Sequence, residues 1–281
     1  MLSSITRWAV DTSVDYLTSL GYLILLGVMI AVELSLPRAA PRSAETARFN
    51  IFYTVIMLAL VAALRPLAMI VPLSLTAALG GGWISFPPGA VGWCCGFVAL
   101  LLLRDLLEYL WHRAQHTFPL LWRMHELHHS AEHFDVTLSQ RHFWLEPLLR
   151  MALLYPLLGL LLKPPVGAVL VVIGICQVFG SYLPHMNFRF SPKLALLVNH
   201  PQYHRVHHSR SMQDYNRNLC SLLPLWDVVF GTLRRPLPDE FVEVGLEGCD
   251  PPRSLWQALY WPWRRRERQA LATTGQAEQA L

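Results

Sequence analysis

The sequence predicts an all-α integral membrane protein, with transmembrane helices and a histidine-rich helical metal domain on the cytoplasmic side. Three observations predict it. Of the 281 residues, 53% are hydrophobic and only 15% charged, with a mean hydropathy of +0.34, whereas an average soluble domain is roughly a quarter charged. Apolar runs long enough to cross a bilayer succeed one another between residues 19 and 183. All twelve histidines fall between His112 and His208. Most stand as His112-x-x-x-His116, His125-x-x-His128-His129 and His204-x-x-His207-His208, more nitrogen donors than one tetrahedral ion uses.

The chain accommodates one membrane unit with a cap. Its net charge of +4 comes from unevenly placed arginines, so anionic lipid is a better partner than nucleic acid. Five cysteines without Cys-x-x-Cys spacing read as reduced fillers. Residues 19 to 36 form the first expected span. The preceding segment has Asp11 and Asp15 with a single arginine, and no small-residue cleavage site follows the run, so the span is read as uncleaved. Further spans are expected near 51–78 and 90–111. From Pro147 to Leu183 an apolar stretch is broken by Lys163-Pro164-Pro165, which predicts a helical hairpin. The hairpin returns the chain to the face it left, so that histidines before and after it can meet.

Arg38, Arg42 and Arg48 follow the first span, residues 79 to 90 carry no basic group, and twelve of the 23 basic residues follow residue 183. That distribution puts the histidine face in the cytoplasm. Trp256 to Arg268, with Trp261-Pro262-Trp263 beside Arg264, Arg265 and Arg266, suits the headgroup layer, and the last dozen residues read as a frayed tail. The tryptophans are read as interfacial anchors.

The third span is expected to run out of the bilayer as one helix until Pro119 stops it. Asp105, Glu108, His112 and His116 then share a face. The two acids are candidates to accept the outer ring N–H of a metal-bound histidine. If Leu121 to His133 is helical, His125, His128 and His129 share a face, and the same arithmetic holds for His204, His207 and His208. Pro201 suits the first position of that helix and puts His200 at its cap. His133, His142 and His200 are set aside as ordinary hydrogen-bonded residues.

Two other readings compete. His125-Glu126-x-x-His129 also matches the zinc-protease signature, which predicts an intramembrane metalloprotease. It leaves the other clusters unexplained. A non-enzymatic metal transporter would spread its histidines along a path through the bilayer, and here they gather at one face.

Residues 103 to 232 resemble the fatty acid hydroxylase superfamily, the membrane di-iron enzymes that include sterol desaturases. The resemblance rests on an ordered series: Arg104-Asp105 with His112-Arg113-x-x-His116, His125-x-x-His128-His129-Ser130, Phe134-Asp135-Val136-Thr137, His185-x-Asn187, His204-Arg205-Val206-His207-His208-Ser209, and Trp226-Asp227-x-x-Phe230-Gly231-Thr232. It divides the chain into N-terminal transmembrane helices (1–102), a di-metal domain that includes the hairpin at 147–183 (103–232), and a C-terminal interfacial segment and tail (233–281). It implies two iron ions held by His112, His116, His125, His128, His129, His185, His204, His207 and His208. His185 enters through the resemblance alone. Asn187 and Asp227 join Asp105 and Glu108 as candidates for supporting the ligands. Ser181 stands where some relatives have a further histidine. His142-Phe143-Trp144-Leu145-Glu146 departs from a frequent His-Pro-x-Glu element, which weakens any assignment of substrate.

The resemblance further implies an oxidoreductase that uses O2 as co-substrate to hydroxylate or desaturate a C–H bond of a lipid, whether sterol, fatty acyl or a related chain. With no G-x-G-x-x-G loop after a strand, no cysteine set for an iron–sulfur cluster and no haem domain, electrons are expected from an external ferredoxin- or cytochrome-type donor with its reductase. Chain length and the lack of a C-terminal retention signal favour a bacterial inner membrane over the endoplasmic reticulum.

Overall fold

The computed structural model describes residues 12–190, 196–237 and 240–263. Helix α1 (Thr12–Ser35) covers the first expected span. Helix α2 (Ala44–Ala78) begins seven residues before the expected 51, because Ser43 caps it with its Oγ accepting from Thr46 N–H at 3.1 Å. At 35 residues it measures roughly 52 Å, well over the ~30 Å of a hydrocarbon core. Its extra turns carry Asn50 and Tyr53, both buried, to the histidine-bearing end.

Helix α3 (Ala90–Thr117) is also longer than a bilayer needs, and its last turns carry His112 and His116. Phe118 is extended, and Pro119 opens the next helix, α4 (Pro119–His129), so the proline breaks the rod where the sequence places the break. α4 ends four residues before the expected His133. Ser130 Oγ turns back onto Leu127 O at 2.8 Å, and the chain leaves through a short 3-10 turn (Val136–Gln140) capped by Asp135.

The hairpin consists of α5 (Leu145–Leu161) and α6 (Val166–His185), joined at Lys163-Pro164-Pro165. Its arms differ. α6 is long and apolar enough to span a membrane, as are α2 and α3, whereas the shorter α5 carries Glu146 and Arg150 near its start. The apolar part of α1 among the described residues, Ser19–Ser35, matches α5 in length. The far end of the bundle is pinned by two-residue strands, β1 (Ile84–Ser85) paired in parallel with β2 (Leu162–Lys163). Near its end α6 passes through a π-helical turn, Val178–Tyr182, and α7 (Pro201–His207) follows with His200 at its N-cap. The short α8 (Leu225–Val229) and α9 (Leu255–Leu259) complete the cap.

Apolar side chains segregate as a bilayer requires. Leu67 and Val71 of α2 and Val166 and Leu170 of α6 face outward, while Tyr53, Met57, Leu58 and Val61 pack inward on Met124, Leu127, Phe143 and Leu148. Ala258 and Trp261 seal that core from the C-terminal side, and Trp256, Tyr260 and Trp263 remain exposed beside them. Arg264, Arg265, Arg266 and the expected frayed tail lie outside the described residues. No disulfide links the cysteines among the described residues.

Candidate metal centre

The nine histidines singled out from the sequence converge in two adjoining groups. His112, His116, His125, His129 and His207 form one, and His128, His185, His204 and His208 the other; within each group, one ring nitrogen per residue lies within 4.8 Å of all the rest. Helix geometry explains the division. At about 100° per residue, positions i and i+4 are ~40° apart, whereas i+3 and i+4 are ~100° apart. On α4, His125 and His129 therefore face one group and His128 the other. On α7 the pattern is mirrored, with His204 and His208 together and His207 turned to the first group. The groups touch where His129 stacks on His208, ring centroids 4.2 Å apart.

Four rings are held from behind. His112 Nδ1 lies 2.8 Å from Leu219 O, His207 Nδ1 2.9 Å from Arg217 O, and His185 Nδ1 2.7 Å from Ser181 O. A carbonyl only accepts, so Nδ1 carries the proton in each case and Nε2 keeps its lone pair for the interior. His125 Nδ1 points at Glu146 Oε2 at 3.0 Å. Glu146 also accepts from Gln115 Nε2 at 2.5 Å and Phe143 N–H at 3.0 Å. Burial alone would raise its pKa, but the hydrogen bonds from His125 and His142 hold it below the ordinary carboxylate range.

The inward nitrogens meet one another or no hydrogen-bond partner. Nε2 of His116, His129 and His207 is buried without a hydrogen-bond partner. In the second group, Nε2 of His185 lies 3.1 Å from that of His128 and 3.0 Å from that of His204, which is 3.3 Å from Nε2 of His208. Burial, reinforced by neighbouring histidines, pushes His128, His129, His204 and His208 well below the usual histidine range. Neutral imidazoles crowded nitrogen to nitrogen are the donor set that a borderline cation such as iron, zinc or copper satisfies, and a poor one for magnesium or calcium. The residues present fit a pair of such ions.

The acids expected behind the histidines are placed elsewhere. Asp105 accepts from Leu222 and Leu223 N–H at 2.9 and 3.0 Å and from Trp226 Nε1 at 2.9 Å. Glu108 lies between Arg104 Nη2 (3.2 Å) and Arg150 Nη1 (3.5 Å). Neither makes the expected contact with a ring N–H among the described residues, because the lone α3 face they share with His112 points partly at the 222–226 turn and at α5. Asp227 accepts from Leu219 and Cys220 N–H, Tyr203 Oη and Thr232 Oγ1. It thereby fixes the loop whose carbonyls receive His112 and His207. Asn187 pairs with both backbone groups of Ala40 at 2.9 Å and ties the segment after His185 to the α1–α2 loop.

Sequence reasoning missed Glu146, which takes the place behind a histidine that was expected of Asp105 and Glu108. A buried acid one helical turn after His142, at the head of an apolar run, was the available signal. His142 lies closer in than expected, stacked on His128 at 4.3 Å and 3.5 Å from Glu146. His200 bonds Gln202 Oε1 at 3.1 Å and stacks on Phe190, away from both groups. His133 is partly buried and belongs to neither group.

A cavity of about 200 Å³ opens from His112, His125, His128, His185 and His204 and runs between α2, α3, α5 and α6. Met57, Leu58 and Val61 line one wall and Met151 another. The site therefore joins a cluster of neutral donors to a cavity with one apolar wall between the long helices.

Residues 97–232 match the fatty acid hydroxylase family. Over 165 residues the chain is 30% identical to an alkylglycerol monooxygenase of Danio rerio, covering 57% of this chain and 36% of that protein. Over 173 residues it is 32% identical to an ornithine lipid hydroxylase of Rhizobium tropici, covering 61% and 51% respectively. A very-long-chain aldehyde decarbonylase of Oryza sativa subsp. indica is 29% identical over 156 residues, 52% of this chain and 24% of that one. The chain thus spans about half the length of these relatives or less. No solved structure matches. The match over residues 97–232 takes in all nine converging histidines.

Proposed function

We propose that this protein is an O2-dependent membrane oxygenase that hydroxylates or desaturates a C–H bond of a lipid. The observation that carries the reading is the pair of adjoining all-histidine groups, five and four residues, opening on a cavity with an apolar wall between membrane helices. His112, His116, His125, His129 and His207 would hold one iron ion, and His128, His185, His204 and His208 the other. When bound, such a pair supplies the two-electron activation of dioxygen that attack on an unactivated C–H bond requires.

The chain's own residues do the rest. Glu146 and the carbonyls of Leu219, Arg217 and Ser181 keep the rings in one tautomer and orientation. The walls at Met57, Leu58, Val61 and Met151 seat an apolar chain and exclude water. Electrons come from an external ferredoxin- or cytochrome-type donor with its reductase. The loop arginines favour a cytoplasmic histidine face, and a bacterial inner membrane is the proposed location. Two relatives are named for oxygen insertion into lipids, which favours hydroxylation.

The protease alternative uses His125 and His129, yet these stand with three further histidines in a five-member group, more than the three protein ligands of a catalytic zinc. Isotopically labelled oxygen gas tests the reading. With a reducing system and membrane lipid, product lipid should gain one labelled oxygen atom or lose two hydrogens with matching oxygen uptake. Peptide cleavage without oxygen uptake would contradict it.

A further inference from the structure

The same cavity has a second, charged wall. Tyr22, Arg104, Glu108, Arg150, Tyr155 and Gln177 line it on the membrane side of the histidines. The Glu108 carboxylate lies between the two guanidiniums, 3.2 Å from Arg104 and 3.5 Å from Arg150. One carboxylate faces two cations. Asp105 lies within Coulombic reach of Arg104, but its oxygens are already occupied by Leu222, Leu223 and Trp226. Arg104 Nη1, Arg150 Nε and Gln177 Nε2 are buried donors with no hydrogen-bond partner, and Glu108 Oε1, 3.2 Å from Arg104 Nη2, is a buried acceptor without one. Three such N–H groups against one such oxygen leave an unmet demand for acceptor oxygens. Unpaired charge at membrane depth is costly enough to mark a binding site.

Position along the helices gives the scale. Arg104 and Glu108 stand two turns and one turn before His112 on α3, and Arg150 one turn after Glu146 on α5, so the cluster lies roughly 6–12 Å from the histidine groups. We propose that Arg104 and Arg150 bind the single anionic group, carboxylate or phosphate, of the lipid substrate, with Glu108 as an internal competitor that sets the strength of binding. The oxidised carbon is then within a few bonds of that group rather than far along a tail. This rests on the reading of the cavity as the substrate site. Metal content and oxygen uptake decide that reading, and a binding preference measured without turnover decides this one.

The full chain in lipid nanodiscs is titrated with cis-parinaric acid and with its methyl ester, following energy transfer from tryptophan and correcting for partition into protein-free discs. The acid should bind roughly tenfold tighter than the ester, as a charge-assisted pair to arginine implies. Arg150→Gln should bring the ratio close to one with ester affinity and metal content retained. Glu108→Gln should move it the other way, tightening the acid. A purely structural ion pair would make both substitutions lower thermal stability and leave the ratio alone, and that outcome, or equal affinities in the parent protein, overturns the proposal. Dodecyl phosphate should displace the acid. Displacement by inorganic phosphate at the same concentration would overturn the assignment to a lipid anion.

Discussion

Glu146 directly orients one of the nine histidines, His125, and spacing within one helix does not reveal that contact. The acids on the α3 stripe, Asp105 and Glu108, have the right spacing to His112 but the wrong neighbours: a turn of backbone amides takes the first and two arginines the second. Residue spacing within one helix places side chains on a face, and it says nothing about what another segment brings to that face. The same limit hid the carbonyls of Arg217, Leu219 and Ser181. Replacing Glu146 with Ala frees His125 to rotate and removes a negative charge from behind the ring. Metal affinity should fall by about 10–100-fold, measured by competition with a chromogenic chelator, while Glu108→Ala should leave it unchanged. Equal effects from the two substitutions would show that the hydrogen bond from His125 is not what matters.

Elements were more legible than contacts. Pro119 marks the break between α3 and α4, Pro201 the start of α7, and Lys163-Pro164-Pro165 the hairpin turn, because proline acts through its own ring geometry wherever it stands. The early stop of α4 at His129 was not legible, since it depends on Arg141. That guanidinium, only 1% exposed, donates through Nε and Nη2 to Leu127 O at 3.2 and 3.0 Å, and through Nη2 to Ser130 Oγ at 2.5 Å. It closes the C-terminal end of the helix that serves both histidine groups. The π turn before His185 was equally hidden, because one extra residue in a uniformly apolar helix leaves no break in periodicity. Arg141→Met should cost about 3 kcal/mol through the charge-assisted bonds lost to Leu127 O and Ser130 Oγ, seen as a lower thermal midpoint and reduced metal content. Arg141→Lys should not restore either, since an ammonium lacks the fork that reaches both acceptors. A lysine variant as stable as the parent would contradict this role.

For the whole molecule, composition and apolar runs carried the fold class, and the histidine triplets carried the region of the site. Their division into five and four follows from the mirrored patterns on α4 and α7 and was available from helix angles alone, but only once the two helices were known to face each other. Long α2 and α3 exceed the bilayer, and their protruding turns make the shelf on which the histidines sit, so membrane span and metal centre are one continuous construction. Metal bound to such a shelf stabilises the folded state, because an unfolded chain presents no preformed nine-histidine site. The central claim is that these nine imidazoles hold a pair of iron ions. Metal analysis of the full chain, produced in iron-replete cells and purified without oxygen, tests it most directly. The account predicts about two iron atoms per chain, lost in parallel when His207 or His204 is replaced by Ala; one zinc and no iron per chain, retained in both variants, would contradict it.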